Sequence, residues 1–383
     1  MAKAKNPFTY GGRVAGETFC NRQKEIKELL SDIMARQHVI LYSQRRFGKT
    51  SLVWRVLAEA RKNGVIPVYV DLYPVSSLAE FIELYAKAIA EALSGYEKAM
   101  KLLRGLFSRL YLSMGLDAMG NPQWNVGFDR NRESDSLDEV LATFEAYLKR
   151  AKKTGVVVFD EFQQISETNG NKMEARLRTA IQTHEHVSYI FVGSRKHLLQ
   201  DIFSNPDRPF YRSGKIFPLG KISSEDFASF IRERFGSAKM AISDEAVNAV
   251  LEETGAHPYY TQYLCHILYD IVEASRVQKE DIPKALHLLI SREATAYMNT
   301  WDLLTLRQRQ ALVSLAQTNA GESPFRPEAL QRFGMSQPAV MMRALNSLLE
   351  KDLVDKENGN YQVTDVFFKR WIRIYISQAP PSG

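Results

Sequence analysis

Five short apolar runs, rich in β-branched residues, punctuate the first 220 positions: Val39–Tyr42, Val65–Val70, Val156–Phe159, Tyr189–Val192 and Ile216–Leu219. None alternates regularly with polar residues, so each predicts a strand buried on both faces, as a parallel sheet requires. Between them the period changes. Leu78, Ile82, Tyr85, Ile89 and Leu93 recur at three- and four-residue spacing, the apolar stripe of a helix. Strands separated by helices imply right-handed crossovers and a doubly wound α/β sheet. Residues 97–135 interrupt this alternation. They predict an inserted basic amphipathic helix (Lys98, Lys101, Arg104, Arg109), whose charges read most simply as a solvated face. A hairpin turning at Gly120-Asn121-Pro122 follows it.

From Ser223 onward the β-runs stop and helical periodicity takes over. Phe227, Phe230, Ile231 and Phe235 form one stripe, and Ala246, Val247, Val250 and Leu251 another, which predicts a helical bundle over 221–295. A third unit is expected over 296–383, beginning near Tyr297. Thr305 and Gln308 have capping-box spacing ahead of the helix that carries Leu312 and Leu315. A second helix follows Pro327. A third, about 337–349, turns Val340, Ala344, Leu345 and Leu348 inward. Two strands, 353–356 and 361–364, flank Asn358-Gly359, a type I′ hairpin signal. Three helices and a hairpin make a winged helix.

The bulk numbers narrow the class. A chain of 383 residues suits two or three domains, and 45% hydrophobic with 25% charged residues is an ordinary globular composition. No run approaches the ~18 apolar residues of a membrane span. The basic N-terminus lacks the apolar segment of a secretory signal, so the expected compartment is the cytoplasm. Two distant cysteines, Cys20 and Cys265, read as buried thiols, and seven scattered histidines suggest no metal cluster. A net charge of +6 suits anionic partners such as nucleotides or nucleic acid, and equally suits a slightly basic protein with neither.

The chemistry lies at the strand ends. Directly after the first strand comes Ser43-Gln44-Arg45-Arg46-Phe47-Gly48-Lys49-Thr50-Ser51. It matches the phosphate-loop pattern G-x-x-x-x-G-K-[ST] at Gly48, Lys49 and Thr50, with Ser43 in place of the first glycine. Amides at the start of the following helix would face a phosphate, Lys49 would reach its β/γ oxygens, and the Thr50 hydroxyl would ligate Mg²⁺. Ser43 is small but not permissive of positive φ, so the loop must enter without one there. Arg45 and Arg46 are expected to be exposed. The run Val156–Phe159 ends in Asp160-Glu161. Asp160 suits the Mg²⁺ shell, and Glu161 suits general-base activation of water; an acid pair after a strand also serves as a helix cap. Ser194 closes a further strand and is placed to sense a γ-phosphate, to position the water, or to cap a helix. Arg208 and Arg212 precede the fifth strand, and for Arg212 both an arginine finger and a structural ion pair remain open.

These residues together resemble the archaeal-type prokaryotic ATPases of the AAA+/STAND group. The resemblance is carried by the loop, by Asp160-Glu161-Phe162-Gln163, by Asn6-Pro7-Phe8 and Pro209-Phe210-Tyr211, and by Phe19-Cys20-Asn21-Arg22-Gln23-Lys24-Glu25. Gly255-Ala256-His257-Pro258-Tyr259-Tyr260 completes it. It implies a P-loop NTPase five-stranded core over 1–220, an α-helical lid and a C-terminal winged helix. It also implies Arg22 near the adenine, although Asn21 and Gln23 depart from the family's Gly and Glu, and Pro258 against the nucleotide. ATP/ADP and Mg²⁺ are the expected cofactors. The expected function is a slow ATPase acting as a nucleotide-driven switch, reporting to a protein partner through lid or winged helix and forming nucleotide-dependent oligomers. The alternatives are an ATP-regulated DNA-binding or DNA-processing accessory, with Arg343, Asn346 and Lys351 toward DNA, and a scaffold that holds ADP. A kinase is disfavoured by Glu161.

Overall fold

The computed structural model describes residues 5–12, 20, 22–93, 110–117, 119–120, 122–318, 322–335, 337–357 and 359–376. The expected basic helix with Lys98, Lys101, Arg104 and Arg109 lies outside these residues, as do Asn21, Asn121 and Asn358. The chain divides into two compact units. One is Arg22–Gly220; the other joins Met1–Asn21 to Lys221–Gly383.

In the first unit the expected alternation is present. The order is α1 (Gln23–Met34), β1 (Val39–Tyr42), α2 (Lys49–Lys62), β2 (Ile66–Asp71), α3 (Leu78–Leu93), a hairpin of β3 (Leu110–Leu116) and β4 (Pro122–Phe128), and α4 (Glu133–Ala151). Then come β5 (Gly155–Asp160), α5 (Gln164–Gln182), β6 (Val187–Gly193), α6 (Lys196–Ser204) and β7 (Lys215–Pro218). Five strands form one sheet in the order β2-β5-β6-β1-β7, and every pairing is parallel. The chain leaves β1 for the far edge at β2, and β5 and β6 then fill the gap. Reversal of strand order beside β1 opens a crevice at the strands' carboxyl ends, the usual ligand position in such sheets. Double-sided burial explains the unbroken apolar runs: Val156 to Phe159 are all 0% exposed. Aromatic rings fill one side of the sheet, with Phe162 4.7 Å from Phe191 and 5.3 Å from Phe210. The hairpin predicted at Gly120 pairs Leu110 with Phe128 through to Leu116 with Pro122.

The second unit is helical with a small hairpin. Its elements are α7 (Ser224–Ser237), β8 (Ala241–Ile242), α8 (Asp244–Thr254), α9 (Pro258–Ile271), β9 (Arg276–Val277), α10 (Asp281–Asp302), α11 (Leu306–Gln317), α12 (Pro327–Arg332), α13 (Pro338–Glu350), β10 (Val354–Glu357), β11 (Asn360–Val363) and α14 (Val366–Trp371). The capping box at Thr305 is present. Glu357 pairs with Asn360 across the turn, where Gly359 has φ +85°. Three details differ from the sequence reading. β8 and β9 form a two-residue parallel bridge, too short to leave a periodic signal. On α13 Met341 is fully buried and Val340 only partly, a one-position shift of helical phase. The third is α14, which the periodicity does not announce. Its Phe367, Phe368 and Trp371 pack on Tyr260, Tyr297 and Trp301, so bundle and winged helix share one core. Asn6-Pro7-Phe8 also belongs here: Phe8 is 2% exposed and 4.7 Å from Phe235, and Tyr10 stacks on Tyr263 at 4.0 Å. Cys20 and Cys265 are buried, as expected. Among the described residues no helix is long and apolar enough to cross a membrane.

Candidate functional site

The loop after β1 turns sharply before α2. Positive φ falls on Arg46 (+62°) and Gly48 (+85°), and Ser43 has none, which is how the loop dispenses with its first glycine. No atom crowds a Cβ built on Gly48, so its backbone angle and not its space requires glycine. Gly48 is the N-cap of α2. It offers no side chain, no side-chain cap bond is made there, and no acid lies in the first turn. Such an end is a ready anion site. Lys49 is buried, and its Nζ donates to the carbonyls of Ser43 (3.1 Å) and Gln44 (2.9 Å) and to Ser43 Oγ (3.3 Å). Phe47 and Ser51 are buried, Gln44 is half-buried, and Arg45, Arg46 and Thr50 are exposed.

One strand pairing beyond β6 lies the acid pair. The Thr50 hydroxyl donates to Asp160 Oδ2 at 3.1 Å, joining residues 110 positions apart. The same oxygen accepts from the Tyr69 hydroxyl at 2.6 Å, and Oδ1 accepts from the Glu161 amide at 3.0 Å. Burial pushes the Asp160 carboxyl above its ordinary range, the Tyr69 hydrogen bond opposes this, and the neighbouring Glu161 charge adds to it. Burial and then the Asp160 charge push the Tyr69 phenol up. A divalent cation beside Thr50 and Asp160 would offset that charge, so the donor set fits Mg²⁺. Tyr69 is a site residue that the sequence reading misses. Its ring rests on Trp54 at 4.6 Å, and it pairs with Val158 across β2 and β5, a register absent from the sequence.

Glu161 has φ +53°, unusual for a residue with a Cβ. Its Oε2 accepts from Ser194 Oγ at 2.9 Å and from Gln163 Nε2. Ser194 and Glu161 therefore meet. Arg22, 3% exposed, donates to Glu25 Oε1 and to the Gly220 carbonyl, both at 2.8 Å. Leu219 donates to the Tyr42 carbonyl, which puts Gly220 and Arg22 at the loop end of the sheet.

The two arginines before β7 part company. Arg208 pairs with Glu174, whose side chain is 0% exposed, and with Ser166, a structural ion pair within its own unit. Arg212 has φ +51° and lies over the Tyr211 ring at 5.2 Å. Lys215 pairs with Val39, so Arg212 lies at the opposite end of the sheet from the loop, one length of β1 away, about 13 Å. Within its own unit it lies away from Lys49, Asp160 and Glu161. Pro258 opens α9 in the other unit, capped by His257.

A phosphate loop, a strand-end acid pair and a parallel sheet of this order define a P-loop ATPase core. The family model described as "ATPase domain predominantly from Archaea" matches residues 19–264, and the chain belongs to that family. A second, described as "Probable winged helix domain", matches residues 295–374. Among solved structures, the Walker-type ATPase PABY2304 of Pyrococcus abyssi is similar over 96% of this chain and 100% of its own, with TM-score 0.69 at 17% identity. The Aeropyrum pernix ORC2 protein, in its ADPNP-ADP complexes, is similar over 93% and 95%, with TM-score 0.56 at 14% identity. No curated protein matches the sequence.

Proposed function

We propose that this chain binds Mg-ATP and hydrolyses it slowly as a nucleotide-driven conformational switch, in the manner of the STAND ATPases. The observation that carries the reading is the Thr50–Asp160 hydrogen bond with Glu161 and Ser194 beside it, all at the loop end of the sheet. The amides of α2 and the Lys49 ammonium would take the β- and γ-phosphates, and Thr50 and Asp160 would hold Mg²⁺. Magnesium supplies charge that offsets the triphosphate as the γ-phosphoryl group is transferred. A water held by Glu161 attacks the γ-phosphorus, Glu161 accepts its proton, and the bond to the β-phosphate oxygen breaks. The ADPNP-ADP complexes of the ORC2 protein support the nucleotide. Arg22 at the loop end supports an adenine contact, and by family resemblance Pro258 would close on the nucleotide from the lid. The far-end position of Arg212 supports action on a neighbouring copy, which would make oligomerisation nucleotide-dependent. Differential ATP and ADP contacts of a few kcal/mol would suffice to shift lid and winged helix. The reading expects a cytoplasmic protein.

For the partner, the outer face of α13 exposes Ala339, Met342, Arg343, Asn346 and Glu350. So mixed a face supports a protein partner over a DNA groove, which wants several basic or amide side chains. Retention on duplex DNA that falls steeply with salt would reverse that order. The test of the ATPase reading is Glu161→Gln. ATP binding should persist while phosphate release falls by about 100-fold or more. Turnover equal to wild type would remove Glu161 as the base, and absence of turnover in the wild type would leave a nucleotide-holding scaffold.

A further inference from the structure

Gln163 stands two residues beyond Glu161 and is 4% exposed. Its Nε2 donates to Glu161 Oε2, the oxygen that also accepts from Ser194 Oγ at 2.9 Å. Its own Oε1 is buried and has no hydrogen-bond partner among the described groups. Room for it depends on Gly193 at the end of β6, because a Cβ there would collide with Gln163 Oε1. A carboxamide buried with half its hydrogen-bonding capacity unmet is a poor core side chain; Met or Leu would fill the space without that loss. The donor half is what the position retains.

That donor acts on a residue whose backbone does not hold itself. Glu161 is left-handed at φ +53°, a conformation that persists only where the surroundings impose it. Both side-chain donors take Oε2. Oε1 is then the oxygen left for a water.

We infer that Gln163 is a positioning residue for ATP hydrolysis: its carboxamide, acting with Ser194, clamps Oε2 of Glu161 so that Oε1 receives the proton of the attacking water. This rests on the reading of Glu161 as the general base. Gln163 touches neither nucleotide nor metal in this scheme, so its removal changes turnover and not nucleotide affinity.

The test compares Gln163→Met, isosteric but without a donor, in the wild-type and Glu161→Gln backgrounds. In the wild type kcat should fall about tenfold or more, since small misplacements of a reacting group are expensive in rate. KM for ATP, and affinity for a fluorescent ATP analogue, should stay within about twofold, the signature of an interaction realised after binding. In the Glu161→Gln background the same substitution should change the residual rate by less than about twofold, because a residue acting through Glu161 has nothing further to lose. Wild-type kcat in Gln163→Met with Glu161→Gln inactive overturns the clamp alone. So does an equal loss in both backgrounds, or a loss accounted for by KM. Full turnover in Glu161→Gln removes the base reading and the clamp with it. If Gln163→Met does not fold, Gln163→Glu keeps the length and exchanges donor for acceptor; kcat should fall at least as far, and wild-type kcat there overturns the clamp equally.

Discussion

Each of the two adjacent acids is held by neutral side-chain donors: Asp160 by Thr50 and Tyr69, Glu161 by Ser194 and Gln163. The sequence exposes the acids, because they end a buried apolar strand in a chain that also carries a phosphate loop. It hides two of the four donors, Tyr69 and Gln163. Tyr69 depends on strand register, and Gln163 on a backbone angle that no residue type announces. A half-buried group shows the same dependence on tertiary surroundings. His38, just before β1, accepts a hydrogen bond from the Tyr189 amide through Nδ1 at 3.3 Å. Burial, with lesser contributions from Arg178 and His184, lowers its pKa from 6.5 to about 4. With the folded value below the unfolded one, the unfolded chain binds more protons between these limits. This stability contribution is whole above about pH 6.5 and is lost as pH falls toward about 4. The melting temperature should therefore drop across that interval, and His38→Gln should show a shallower drop than wild type; identical slopes would contradict the assignment.

At the level of elements, legibility follows burial. The central strands β1, β5 and β6 are visible in the sequence because both their faces are covered, the edge strands β2 and β7 because one face is, and α3 because its partner face is continuous. α14 is not, since Phe367, Phe368 and Trp371 find partners at Tyr260, Tyr297 and Trp301, far back in the chain. The turn before β7 is half legible: two arginines are evident, but which is structural depends on Glu174, midway along α5. Glu174 is 0% exposed, with Arg208 and Ser166 as its partners, and its carboxyl is pushed up chiefly by burial. Arg208→Met strands that carboxylate and should destabilise the unit by about 3 kcal/mol or more in urea denaturation. Adding Glu174→Gln should recover most of the loss. Failure of the double variant to recover would show that packing of the arginine stem, not charge, is what holds α5 to the turn.

For the whole molecule, the division into Arg22–Gly220 and the remainder assigns the first residues to the company of the last. Asn6 donates to the His266 carbonyl and to Asp270, Phe8 lies against Phe235, and Tyr10 stacks on Tyr263. The family motif Asn6-Pro7-Phe8 is legible as a pattern, but nothing local says where it docks. Phe8→Ala should cost about 3–5 kcal/mol in the unit it packs into. By hydrogen exchange, α7 and α9 should lose protection while β5 and β6 keep theirs. Uniform loss across both units would contradict their separate cores.

The docked N-terminal segment also sets an order of events during synthesis. Phe8 is made ahead of its partners: the His266 ring that its carbonyl meets follows 258 residues later. At ~5–20 residues per second that is a wait of about 13–50 s, during which the five strands of the core can be completed and folded. For that interval Phe8 and Tyr10 are an exposed apolar handle on a nascent chain, open to a chaperone, and their capture by α7 and α9 becomes a late closing step of folding.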